Sequence, residues 1–218
     1  MRLTTKKRGW KKVKNILLFF WSLIDPLYFY FSRLTYPPCV EKEENILRIR
    51  LTKYKGRNVT LSDGTTIEKN DLLVKIHLHN VRLLKELRHF KSELKKVKTI
   101  LEYVQKSLPG VEAFIRMNPH AEKIKGIIGI TSRTKGSERL GFEVFEIIHP
   151  VYRYFKTLSF LPIHFISSRC SLKDLLVDFQ PKYLFMSVQQ LSSLYGKTHP
   201  QINTNTSIQT GCRELNEA

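Results

Sequence analysis

The run from Leu72 to Leu108 limits the fold more than any other stretch of this chain. Through Leu72 to His79, Leu72, Val74, Ile76 and Leu78 alternate with Lys75, His77 and His79, the period-2 pattern of a strand with one apolar face. At Val81 the period changes. Leu83, Leu87, Phe90, Leu94, Val97, Leu101, Val104 and Leu108 follow at spacings of four and three, a helical seam of about four heptads, and Pro109-Gly110 is expected to close it. The strand's apolar face needs a cover, and the helix that follows can supply one. We therefore expect a helix from about Val81 to Leu108 packed on its own sheet, and a monomer rather than a coiled-coil dimer.

Shorter signals flank this core. Leu47, Ile49 and Leu51 against Ile46, Arg48 and Arg50 predict a strand over Ile46 to Tyr54 with one wet face. Val59 to Leu61, Ser62-Asp63-Gly64 and Thr65 to Ile67 read as a hairpin, with Asp-Gly in a type I′ turn. Further on, strands are expected at Ile124–Thr131, Phe142–Ile148 and Tyr183–Met186. Helices are expected at Arg133–Leu140, Pro150–Leu158, from Ser171, and from Ser187 to Gly196, the last two opened by capping-box patterns. The result is an α/β arrangement, with α+β as the alternative. It has a mixed sheet, an N-terminal hairpin region, one long amphipathic helix and a βαβ-like C-terminal half. Residues 45–196 form the single domain, and the polar, aperiodic residues 197–218 read as a disordered tail.

The first 35 residues are of another kind. Seven Lys and Arg and no acid lie within residues 1–14, followed by Ile16-Leu17-Leu18-Phe19-Phe20-Trp21 and, after Asp25-Pro26, Leu27-Tyr28-Phe29-Tyr30-Phe31. A basic flank beside an aromatic segment suits an anionic bilayer surface. The nine residues from Ile16 to Ile24 would rise about 13 Å as a helix, against the roughly 20 apolar residues a span requires. Asp25-Pro26 reads as a break between helices. A surface-lying helix, packing onto the protein's own core, and a true span all stay open at this point.

Of the net charge of +18, the first 15 residues carry +7 and the remainder +11, a distributed field that attracts phosphate-bearing partners. Nucleic acid is one such partner, although no reading module is present. Cys39, Cys170 and Cys212 form neither a disulfide framework nor a C-x-x-C pair, which points to a reducing compartment. The expected location is the cytoplasmic face of the cell membrane, held peripherally, or otherwise the cytoplasm.

Tyr54-Lys-Gly-Arg-Asn-Val-Thr-Leu-Ser-Asp-Gly, Asp71 to Arg82 (DLLVKIHLHNVR), Arg139-Leu-Gly-Phe-Glu, and Tyr183-Leu-Phe-Met-Ser with Tyr195-Gly196 together resemble the YkoP-like family of Bacillus and related spore-formers. That family has no known activity. A domain similar to it occurs joined to polysaccharide deacetylase domains, so the resemblance implies an envelope or spore context with envelope-polysaccharide proteins as partners. The chain has no deacetylase motif of its own.

Chemistry-bearing candidates are few. His77 and His79 share one strand face, as two imidazoles offered to one metal do. Glu143, Glu146 or His149 would have to supply further ligands, and Lys75 on the same face weighs against a metal. The same face, with Glu143, is the candidate catalytic surface for an enzyme of metal-dependent or acyl-transfer type. Ser132, Arg133, Lys135, Gly136 and Ser137 form a candidate anion loop between a strand and a helix. Its Arg133-x-x-Gly136 only approaches the acetyl-CoA loop of acetyltransferases. No pattern names a cofactor.

Overall fold

The computed structural model describes residues 2–38, 45–87, 89–90, 92–167 and 180–196, with side chains from Asn15 on and up to Ser159 in the helix that ends at Ser167. The three cysteines, the expected helix from Ser171 and the tail at 197–218 lie outside the described residues. Among the described residues, five helices and seven strands follow one another as α1 (Arg2–Phe31), β1 (Leu47–Lys53), β2 (Val59–Thr60), β3 (Thr66–Ile67), β4 (Leu72–Leu78), α2 (Asn80–Leu87), α3 (Glu93–Arg116), β5 (Ile124–Thr131), β6 (Glu143–Glu146), α4 (Pro150–Ser167), β7 (Lys182–Ser187) and α5 (Val188–Tyr195). The fold is mixed α/β.

The main sheet has five strands in the order β1-β4-β5-β7-β6, and β2 with β3 makes a separate two-stranded ribbon. β4 and β5 pair in parallel across the α2–α3 crossover, and the other neighbours pair antiparallel. The β–α–β order of the C-terminal half is that of β6, α4 and β7, whose strands run antiparallel. Gly126 on β5 faces the Met186 backbone so closely that a Cβ would stand 2.4 Å from its carbonyl oxygen.

The strand alternation holds. Leu47, Ile49 and Val74 are buried on one face of the sheet against Leu83 and Leu87 of α2, Val104, Leu108, Val111 and Ile115 of α3, and Leu191 of α5. On the opposite face, Leu73, Ile128 and Phe185 pack with Tyr54 and with Leu61 and Ile67 of the ribbon. Ser187 caps α5 by accepting from the Gln190 N–H at 2.9 Å, as its sequence pattern implies.

Four local expectations are corrected. The seam from Val81 to Leu108 is two helices. α2 ends at Leu87, and Ser92 caps α3 afresh by accepting from the Lys95 N–H, so Leu94 falls in an outward-facing first turn with 83% exposure. Pro109 does not stop α3, which runs on to Arg116. The ring frees only the Gln105 carbonyl, at an exposed residue where water can satisfy it. The hairpin turn is not type I′. Only Gly64 has positive φ (84°), the Gly64 N–H donates to Leu61 O, and Leu61 N–H donates to Thr65 O, the pattern of a type I turn closed by a glycine bulge. Arg133–Leu140 contains only a 3-10 turn at Glu138–Leu140, ended by Gly141 at φ 87°.

The largest correction is at the N-terminus. α1 runs through Asp25-Pro26 without a break, so Asp25 is not an N-cap. The helix ends at Phe31 and is closed by Arg33, in the left-handed region at φ 48°. There Leu34 N–H donates to Phe29 O and Arg33 N–H to Tyr30 O, a Schellman pair made without glycine. That turn sends Leu34 into the core at 4% exposure and sets Thr35 against Ile49 with two backbone hydrogen bonds of 2.8 Å.

Candidate functional site

β1 and β4 place Arg48 opposite His77 and Arg50 opposite Lys75. This face was expected to be wet, but Arg48 is only 5% exposed. α1 lies over it, and the side chain that should have capped a helix reaches down instead. The Arg48 guanidinium donates to both Asp25 oxygens, Nη1 to Oδ1 at 2.9 Å and Nη2 to Oδ2 at 2.6 Å. Its Nε donates to the Tyr36 hydroxyl at 3.2 Å. The Phe29 and Tyr36 rings lie 5.0 and 5.7 Å from its central carbon. A fork-to-fork pair under aromatic rings is the geometry in which arginine tolerates burial.

His79 closes this group. Its Nε2 lies 2.8 Å from Arg48 Nη2 and 3.4 Å from Asp25 Oδ2. A guanidinium nitrogen can only donate, so Nε2 accepts, and the imidazole is neutral with its proton on Nδ1. Burial and then the Arg48 charge lower the His79 pKa, against an opposing pull from Asp25.

His77 has different surroundings. Tyr28 of α1 meets it edge-on at 6.3 Å, and its buried Nε2 has no partner. Burial, then the charges of Lys75, Arg50, Lys156 and Arg48, push it down to about 3. The two histidines share a strand face, yet one belongs to an ion-pair network and the other to a cationic layer.

The remaining candidates lie elsewhere. Two strands separate β4 from β6, which places Glu143 roughly 14 Å across the sheet at ordinary strand spacing. Glu143 accepts from the Ser62 N–H and hydroxyl in the hairpin turn, beside a cleft where the Ser187 hydroxyl donates to Asp63. Glu146 pairs with Lys182 at 2.6 Å, and His149 Nδ1 accepts from the Tyr152 N–H at the start of α4. Among the described residues no group of three His, Cys, Asp or Glu converges. In the Ser132–Ser137 loop, Arg133 lies 3.6 Å from Glu93 of α3 and the Ser137 hydroxyl donates to Thr134 O. Lys135 is exposed, and Gly136 has φ 88°. The structure thus leaves His77 and His79 together and puts Glu143 and the loop at separate places. Sequence reasoning missed Asp25, Tyr36, Arg48 and Lys156. One signal was available for Asp25, the lone acid in the first 40 residues.

Residues 14–195 match the YkoP domain family. The chain belongs to the YkoP family. It is similar to an uncharacterised YkoP protein of Bacillus subtilis strain 168, with 45% identity over 186 residues that cover 85% of this chain and 99% of that relative. No solved structure matches it.

The helices that cover the polar face of this YkoP domain leave apolar surface outside. On α1, Trp21, Asp25 and Phe29 are half-buried toward the sheet, whereas Ile16, Phe19, Leu23 and Leu27 recur on the outer side, each more than half exposed. On α4, which contacts α1, Val151, Tyr154, Phe155 and Leu158 do the same. No described helix is long and apolar enough to cross a membrane.

Proposed function

We propose that this YkoP chain is a peripheral membrane module that lays α1 on an anionic bilayer surface. The observation that carries the reading is the outer face of α1. Its exposed Ile16, Phe19, Leu23 and Leu27 stripe is continuous, in one helix, with a leading segment of seven cations and no acid. Contiguous apolar surface of this kind marks an interaction site, and the adjoining positive charge selects a negatively charged surface as its occupant. Each apolar side chain that enters the acyl boundary adds on the order of 1 kcal/mol, as does each cation near the headgroups. The inner edge of the helix stays anchored through Asp25, so docking needs no unfolding.

Flotation with phosphatidylglycerol vesicles against phosphatidylcholine vesicles tests the reading. Deleting α1 would strip Arg48 of its carboxylate, so a surface variant is the cleaner probe. The triple change Phe19→Ser, Leu23→Ser, Leu27→Ser alters only exposed positions and should leave a folded protein that no longer floats with anionic vesicles. Flotation unchanged by the triple substitution, or no preference for anionic vesicles, would sink the reading.

A further inference from the structure

Beside the Asp25–Arg48 pair, the same sheet face carries a second basic group that no acid among the described residues matches. Arg50 on β1 stands directly opposite Lys75 on β4, and Lys156 reaches toward both from α4. Like charges directly opposed across strands repel, and half-buried cations without a counter-ion are costly. Among the described residues no carboxylate lies within ion-pair distance of any of the three. Arg50 Nη1 donates to Ser32 O at 3.3 Å, while its buried Nε has no partner. Lys156 Nζ sits 5.4 Å from the Tyr152 ring centre, and that ring stacks on Tyr183. Next to them is the unpartnered Nε2 of His77.

Arg48, two residues away on the same strand face, shows what this surface does with a cation when an acid is at hand. At Arg50, Lys75 and Lys156 the described residues supply cations and donors without an anion. We propose that Arg50, Lys75 and Lys156 form a binding site for a phosphate group. A carboxylate would offer one charge and two oxygens, whereas a phosphate monoester brings up to two charges and three free oxygens, enough for a guanidinium and two ammonium groups. The group is either a soluble phosphate or the headgroup of a lipid, and the site does not depend on the membrane reading. Burial, then Lys156 and Arg50, hold Lys75 down to about 8, a cost that a bound dianion removes.

Calorimetry of the full chain with inorganic phosphate, at fixed ionic strength and pH 7, should show saturable binding, with a matching rise in Tm. Lys75→Met should weaken binding roughly tenfold or more, the loss expected for one charge-assisted hydrogen bond, while raising the phosphate-free Tm by relieving repulsion. Lys156→Met, on the outer helix, should weaken binding several-fold without touching the sheet. A parallel arm compares phosphatidic acid with phosphatidylglycerol vesicles at equal surface charge. A phosphatidic acid preference that Lys75→Met or Lys156→Met removes identifies a lipid headgroup, and binding of inorganic phosphate without that preference identifies a soluble ligand. Absence of both, or binding that neither Lys75→Met nor Lys156→Met weakens, overturns the proposal. Because the outer-face triple variant leaves this site intact, failure of membrane docking and failure of phosphate binding are read separately.

Discussion

Asp25 and Arg48 are joined by two hydrogen bonds, of 2.9 and 2.6 Å, between the C-terminal part of the N-terminal helix and the edge strand of the sheet. The pair fixes the rotation of α1. With Asp25 pointing inward, the Ile16, Phe19, Leu23 and Leu27 stripe has to point out.

Removing the carboxylate should therefore cost more than an exposed ion pair would. Arg48 is 5% exposed, and Asp25→Asn leaves its charge buried without compensation, for which about 3 kcal/mol or more of destabilisation is expected. Arg48→Met in the Asp25→Asn background should restore part of that loss. Urea unfolding of the two single variants and the double variant measures the coupling. Equal, additive losses would show that the pair does not hold the helix.

Leu94 and Leu108 occupy equivalent places in the sequence seam and opposite places in the fold. Leu94→Glu should stay folded, within about 0.5 kcal/mol of the parent, since the residue is 83% exposed in the first turn of α3. Leu108 is 0% exposed, and Leu108→Glu should abolish cooperative unfolding. Circular dichroism with size-exclusion chromatography distinguishes the two outcomes. A Leu94→Glu variant that loses its fold, or that changes oligomeric state, would contradict this placement.

The cationic layer also makes stability depend on pH. His77 titrates at about 3 in the fold against 6.5 in an unfolded chain. Between those values the unfolded state holds a proton that the folded state lacks, so stability falls as pH drops from 6.5 toward 3. The groups facing His77 are Lys75 on its own strand, Arg48 and Arg50 on β1, Lys156 on α4 and the Tyr28 ring of α1, none of them an acid. His77→Gln should flatten this acid limb in unfolding experiments run from pH 7 to pH 4. Lys75 acts at the other end. Its pKa of about 8, against 10.5 unfolded, makes stability rise with pH across that interval, and Lys75→Met should reduce the rise, leaving the share of Lys156, which burial also lowers.

Much of the sheet was legible beforehand, because alternation and turn chemistry are properties of near neighbours. β4 was readable from Leu72 to Leu78, β5 from its apolar run, and the α5 cap from Ser187 and Gln190 three residues apart. Spacing also proposed the seam through Leu94. Spacing cannot distinguish one helix from two in line, however, and the Ser92 cap divides them. The candidate site was half legible. The His77 and His79 face was found, but its cover was not, because the Asp25 carboxylate meets a guanidinium 23 residues further on.

The sequence by itself determined the class of the fold, its strands, its basic and aromatic N-terminal segment, and the family to which the chain belongs. All of these are carried by composition and by contacts between residues close in the chain. Only the tertiary structure decided that α1 passes through Asp25-Pro26 as one helix, that the polar strand face is roofed rather than wet, and that Arg50, Lys75 and Lys156 come near one another with no acid beside them among the described residues. Those outcomes depend on the relative energies of burying particular charges against one another, and such energies exist only once distant segments have been brought together.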